Sequence, residues 1–183
     1  MKKKKSLLSA ILIAIVVAIG SYYGLDLSSL FESEAVQQSE TFEVVRVIDG
    51  DTIKIRYNGA EENVRFLLID TPEMSHKQFD GPQPFAVEAK EKVEELLRNG
   101  KVDIEFGVQE RDKYGRLLGY LYVDGKSIQE ELLREGLARV AYVYNDKRHL
   151  DRYLQLEEEA KQLEKGIWSI DNYVTEDGYV NVE

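Results

Sequence analysis

Cysteine is absent from the 183-residue chain, and there are only two histidines, His76 and His149. The first absence excludes disulfides, thiolate zinc sites, thiol catalysis and lipidation at a cysteine. The second leaves too few imidazoles for a multi-histidine centre, so any metal must be a hard cation held by oxygens. Positive charge is also scarce over most of the chain. The net charge is −10, but four of the basic residues are Lys2–Lys5, and the balance beyond them is −14. A body this acidic does not hold polyanions through its bulk field. Nucleic acid would require a local basic site, assisted by a bound cation. Apolar residues make up 43% and charged residues 32%, which excludes a disordered or collagen-like chain and allows a packed core. The length suits one domain with extensions.

Lys2–Lys5 precede a nearly unbroken apolar run from Leu7, with Tyr22 and Tyr23 near its end. Basic residues before an apolar run form the pattern of an export signal or signal anchor. Leu7 to Leu25 is 19 residues, close to the roughly 20 that span a bilayer. The lysines should stay cytoplasmic and the tyrosines sit at the interface. Ala18 and Gly20 also offer a small-x-small cleavage site before Ser21. Segment 1–25 is therefore a transmembrane anchor or a cleaved signal peptide, and both place the remainder outside the cytoplasm. Residues 26–40, rich in Ser, Glu and Gln, read as a polar linker.

The folded body is expected over 41–172. Phe42–Ile48 is β-branched, and Thr52–Tyr57 alternates with period two before Asn58-Gly59, a strong hairpin signal. Asn63–Ile69 reads as a third strand of the same meander. Glu88–Leu97 has helical spacing and stops at Asn99-Gly100. Val102–Phe106 and Leu117–Val123 read as two further strands. Ser127-Ile-Gln-Glu130 is a capping-box pattern opening a helix that ends at Gly136. A last amphipathic helix is expected over about 147–164, with a stripe of Leu150, Tyr153, Leu154, Leu156, Ala160 and Leu163, and with Glu157-Glu158-Glu159 on its solvated face. The fold class is α+β: a five-stranded barrel of OB type with three helices, preceded by the apolar N-terminal segment. The tail 173–183 either packs as an extra strand or hangs free.

Three clusters carry chemistry. Asp49-Gly50-Asp51-Thr52 sits at the tip between the first two strands. Arg65 through Asp70-Thr71-Pro72-Glu73 runs along the third strand and past it. Asp112-Lys113-Tyr114-Gly115-Arg116 precedes the fifth. Singly, each has a plain structural explanation as a turn, a helix-start cap or a polar hairpin. Together they assemble a function. Asp51 and Asp70 at adjacent strand ends, with a nearby backbone carbonyl, suit Ca²⁺. Arg65 and Arg116 can clamp a phosphate, and Glu73 can orient or deprotonate a water. Strict alternation puts Arg65 and Asp70 on opposite faces, so a twist or bulge must bring them together.

These segments resemble the thermonuclease family, the staphylococcal-type calcium-dependent nucleases. The resemblance runs from about Phe42 to Trp168 and includes Gln83-Pro84-Phe85, Gly136-Leu-Ala-Arg-Val-Ala-Tyr-Val-Tyr144 and Ile167-Trp168-Ser169. It implies an OB-type barrel that cleaves DNA and RNA with one Ca²⁺. Asp51 and Asp70 would be metal ligands, with Thr71 adding its carbonyl and Asp49 standing near the metal. Arg65, Glu73 and Arg116 would be catalytic, Glu73 as general base. Lys113 and Tyr114 would contact a neighbouring phosphate, and Tyr142 and Tyr144 would line a nucleoside pocket. Met74–Pro82 departs from the family's lysine-rich stretch at this place.

Two other function classes compete: a catalytically inactive barrel that binds nucleic acid or protein, and an envelope structural protein with a relic site. The intact set Asp51, Arg65, Asp70, Glu73 and Arg116 argues for the enzyme. Nothing in the sequence points beyond a monomer. His76 and His149 read as solvated or capping residues, and Trp168 as a packing anchor.

Overall fold

The computed structural model describes residues 40–75 and 81–180. The expected signal or anchor, the linker up to residue 39, and His76 lie outside the described residues. Among those described, no helix is long and apolar enough to cross a membrane.

The first three strands are β1 (Glu40–Val47), β2 (Thr52–Tyr57) and β3 (Ala60–Phe66). They form the expected antiparallel meander. In β2 the alternation does what the sequence implied: Ile53 and Ile55 are fully buried, while Arg56 faces solvent. The β2–β3 connection places Asn58 at φ 50° and Gly59 at φ 82°, the paired positive φ of a type I′ turn. Next come a helix, α1 (Ala86–Leu96), and two long strands, β5 (Lys101–Arg111) and β6 (Leu117–Val123). The strand order is β3-β2-β1-β5-β6, and a parallel pairing of β3 with β6 closes the barrel. A two-residue strand, β7 (Lys126–Ser127), adds to β6. β5 runs five residues past the expected Phe106. Its polar second half has no alternation to read, and its pairing with β6 shifts register between Phe106 and Arg111.

Two helices follow. In α2 (Ile128–Arg134), the Ser127 hydroxyl accepts the Glu130 N–H at 3.2 Å, a cap worth about 1 kcal/mol. Only that half of the capping box forms, because the Glu130 carboxylate pairs with Arg134 and Arg152 instead. α3 (Leu150–Gln162) buries Tyr153, Leu156 and Ala160 as expected. Leu154 and Leu163 are exposed, and Glu157 is buried in their stead, correcting the solvated reading of that residue. Its carboxylate accepts the Val140 N–H at 2.7 Å and pairs with Lys161. The core joins barrel residues such as Ile53, Val64, Phe66, Ile104 and Leu121 to Ala89 and Val93 of α1, Leu132 of α2 and Tyr153 of α3. Trp168, in a 3-10 turn at Gly166–Ser169, is half-buried beneath Lys161, while its neighbour Ile167 is the fully buried anchor.

Two short ladders complete the fold. The expected third strand breaks at Leu67-Leu68, and the chain resumes as β4 (Ile69–Asp70), which pairs antiparallel with β8 (Arg139–Val140). The chain after Asn172 packs as a hairpin, β9 (Val174–Thr175) with β10 (Gly178–Tyr179).

Candidate active site

The tip between β1 and β2 is closed locally. The N–H groups of Ile48 and Asp49 both reach the Thr52 carbonyl, and the Asp51 N–H donates to Asp49 Oδ1 at 3.1 Å. Gly50 is required by space: a Cβ there would stand 2.7 Å from the Ala89 Cβ and 2.8 Å from the Thr71 hydroxyl. The turn can therefore lie directly against α1 and the segment after β4.

Asp51 faces that segment. Its Oδ2 accepts the Thr71 N–H at 3.0 Å and the Thr71 hydroxyl at 3.1 Å, and its Oδ1 accepts the Thr52 hydroxyl at 3.0 Å. Arg65 Nη1 lies 2.9 Å from Asp51 Oδ2, and Arg65 Nη2 lies 3.4 Å from Asp70 Oδ1. Leu68 makes this convergence possible. It adopts φ 64° while its side chain is 1% exposed, held by burial and by its carbonyl accepting the Ala141 N–H at 3.0 Å. The break resets the alternation, so Asp70 turns to the side of Arg65.

A second guanidinium holds the far side of Asp70. Arg139 Nε donates to Asp70 Oδ2 at 3.0 Å, and Arg139 is 9% exposed. The sequence reading assigned Arg139 no role. Its one available signal was a lone charge inside the apolar stretch Leu137–Val143.

The electrostatics are those of crowded carboxylates. Burial first, then the Asp51 and Glu73 charges, push Asp49 up to about 7, against the Asp51 N–H and Arg65. Burial and the Asp51 charge likewise raise Asp70, although Arg65 and Arg139 oppose this. Burial disfavours the Arg65 cation, but Asp51, Asp70 and Asp49 together outweigh it and hold the group above its ordinary value.

Glu73 is exposed and follows a buried Pro72. Its peptide is braced twice by Gln83: its N–H donates to Gln83 Oε1 at 2.7 Å, and its carbonyl accepts the Gln83 N–H at 3.0 Å. Gln83 is 3% exposed and ties the Glu73 segment to the approach to α1. No helix starts at Asp70-Thr71-Pro72-Glu73, so the helix-cap explanation of that motif is set aside.

Arg116, Lys113 and Tyr114 occupy the β5–β6 turn, organised by Asp112. Asp112 Oδ1 accepts the Tyr114 and Arg116 N–H groups at 2.9 and 3.0 Å, and Oδ2 accepts Arg116 Nε at 2.7 Å. Partial burial works against the Asp112 carboxylate, yet these donors hold it below its usual range. Both Lys113 and Arg116 lie over the exposed Tyr114 ring, at 5.0 and 5.6 Å. Among the described residues, no hydrogen bond or ion pair joins this turn to Asp51 or Asp70. The barrel closure relates them instead: Arg65 pairs with Leu118 across β3–β6, and the turn that carries Arg116 leads directly into that strand.

Tyr142 sits at φ 54° and presents its ring to Arg65 at 5.4 Å, remaining 54% exposed. Tyr144 is 71% exposed and stands apart from these contacts. The arrangement thus offers a buried acidic pair bridged by arginine, an exposed carboxylate near it in sequence, a cationic turn leading into the strand that pairs with β3, and open aromatic rings.

Among the described residues, no group of three or more His, Asp or Glu forms a ready metal cage. The available donors are nevertheless all hard oxygens. Among the described residues, Asp51 Oδ1 accepts only the neutral Thr52 hydroxyl, and Asp49 and Asp70 are raised by burial and neighbouring negative charge. That donor set fits a hard dication completed by waters.

Residues 63–170 match the family model described as Staphylococcal nuclease homologue. The chain is 34% identical to a thermonuclease of Staphylococcus hyicus over 91% of its own length and 99% of that protein's. It is 52% identical to the SPbeta prophage-derived endonuclease YokF and to endonuclease YncB, both of Bacillus subtilis, over 73% of its length. It spans 46% of the first of these and 64% of the second. The barrel closed by β3 and β6, the arginine-bridged acids and these matches converge, and the chain belongs to the staphylococcal nuclease homologue family.

Proposed function

We propose that this protein is a Ca²⁺-dependent nuclease that hydrolyses phosphodiester bonds of DNA and RNA outside the cytoplasm. The observation that carries this reading is the convergence of Asp51 and Asp70 on Arg65, whose strand pairs with the one that the Arg116 turn leads into. Ca²⁺, held by Asp51, Asp70 and the Thr71 carbonyl, would supply positive charge against the phosphoryl oxygens.

The chain's own residues account for the rest. The Glu73 carboxylate takes a proton from the attacking water as the water oxygen bonds to phosphorus. One P–O ester bond breaks, and the departing oxygen is protonated from solvent, leaving a phosphomonoester and an alcohol. Arg65 and Arg116 hold the phosphoryl oxygens as negative charge grows on them. Lys113 and Tyr114 contact an adjacent phosphate, and Tyr142 and Tyr144 offer ring faces to bases. Asp49 adds negative charge beside the cation. A monomer suffices for all of these roles. Segment 1–25 would export the domain or hold it at the membrane.

The test is cleavage of DNA and of RNA by the purified full chain, with Ca²⁺ and with chelator. Degradation of both substrates in Ca²⁺ alone is expected. Binding without cleavage would favour an inactive nucleic-acid-binding barrel.

A further inference from the structure

The C-terminal hairpin, which lies outside the family match at 63–170, touches the site from behind. The Tyr179 hydroxyl donates to the Asp70 carbonyl at 2.7 Å. The N–H of that same peptide unit, on Thr71, donates to Asp51 Oδ2 at 3.0 Å. One peptide plane is therefore held at its oxygen by the hairpin and at its nitrogen by the first acid. Arg139 makes a parallel link. Its Nε binds Asp70 Oδ2, its Nη1 donates to the Thr175 and Glu176 carbonyls at 3.2 Å each, and its guanidinium lies 5.7 Å from the Tyr179 ring. The hairpin is itself well anchored. Tyr173 is fully buried, donates to the Pro84 carbonyl at 2.9 Å and packs 5.3 Å from the Tyr179 ring.

We propose that the hairpin is a brace that sets the cation affinity of the Asp51–Asp70 pair, with Tyr179 and Arg139 as positioning residues for Asp70. The inference rests on the reading of those two acids as cation ligands. Tyr179 fixes the Asp70–Thr71 peptide, and with it the N–H that orients Asp51. Arg139 fixes the Asp70 carboxylate against a backbone that only the hairpin supplies. Outer residues that orient metal ligands commonly alter affinity by about 10- to 100-fold when removed.

The experiment compares Tyr179→Phe with Tyr173→Phe in the full chain. Each removes one hydroxyl from the hairpin that bonds a backbone carbonyl, but only the first bonds Asp70. Calorimetric titration with Ca²⁺ and thermal melting are read side by side. Tyr179→Phe should weaken Ca²⁺ binding by about 10-fold. Tyr173→Phe should leave the affinity within about twofold, although it too lowers the melting temperature. If Tyr179→Phe melts lower but binds Ca²⁺ as the unaltered protein does, the hairpin is structural only and the proposal is overturned. If the unaltered protein itself binds no Ca²⁺, the metal reading falls and the brace falls with it.

Discussion

At the scale of the residue, the proposed mechanism gives Glu73 and Arg116 two different ways of lowering a barrier. Glu73 is exposed and braced through its backbone by Gln83, so its carboxylate can change without disturbing the core. Glu73→Gln keeps size and polarity but cannot accept a proton. Its kcat should fall by about 10²–10⁴, with Ca²⁺ and substrate binding retained. Arg116→Ala should cost roughly 10²-fold or more, and Arg116→Lys should recover little, because a point charge lacks the planar fork seated on Asp112. Single-turnover cleavage of a short oligonucleotide, with circular dichroism as the folding control, measures both. Near-normal rates in both variants would remove the catalytic assignment. Most residues of the candidate site were legible as candidates because chemistry-bearing types cluster at strand ends. Arg139 was not, since its partners are Asp70 and the carbonyls of Thr175 and Glu176, 36 and more residues away in sequence. The convergence of Arg65 with Asp70 was legible only as a requirement. Phe66-Leu67-Leu68-Ile69 is continuously apolar, and such a run does not say where alternation is reset.

At the scale of the element, the loop before α3 carries a network distinct from the active site. Asp146 is 8% exposed and accepts the Val108 N–H, the Tyr120 hydroxyl and the Arg148 guanidinium. Burial opposes the Asp146 anion, but the Arg148, Val108 and Tyr120 bonds prevail and hold its carboxyl well below the usual range. A depressed folded pKa contributes stability that is present above the unfolded value of about 3.9 and lost as pH falls toward the folded one. Asp146→Asn should therefore lower stability by roughly 1–3 kcal/mol at neutral pH. The gap from the unaltered protein should narrow steadily below about pH 4. Urea unfolding across that range is the check, and a gap independent of pH would contradict the network's role. Elements were readable where one face is buried, as in β2, where Ile53 and Ile55 set the inward face and Asn58-Gly59 ends the strand. α3 was readable as a helix but not in its inner face. Glu157 looks solvated within Glu157-Glu158-Glu159, and only the Val140 N–H arriving from β8 draws it inward. The tail was open between two readings because four strand residues around a turn make too short a pattern to decide.

At the scale of the whole molecule, an acidic chain with the proposed polyanionic substrates must concentrate its attraction. The Lys113–Arg116 turn, Arg65 and a bound dication would do so against a net charge of −10. Ca²⁺ should accordingly raise the melting temperature by binding the folded state alone, and chelator should reverse the rise. No shift at millimolar Ca²⁺ would count against the cation. Fractionation of the producing cells should find the chain outside the cytoplasm. Protein starting near Ser21 in the medium would mean a cleaved signal, membrane-bound full-length protein an anchor, and a purely cytoplasmic chain would refute both. The most direct test of the central claim is single-turnover cleavage of a labelled oligonucleotide across a Ca²⁺ series, for the unaltered protein and for Asp51→Asn. The account predicts a rate that climbs with Ca²⁺, vanishes in chelator, and falls by about 10²-fold or more in Asp51→Asn at saturating oligonucleotide. Full-rate cleavage in chelator, or an Asp51→Asn variant indistinguishable from the unaltered protein, would contradict it.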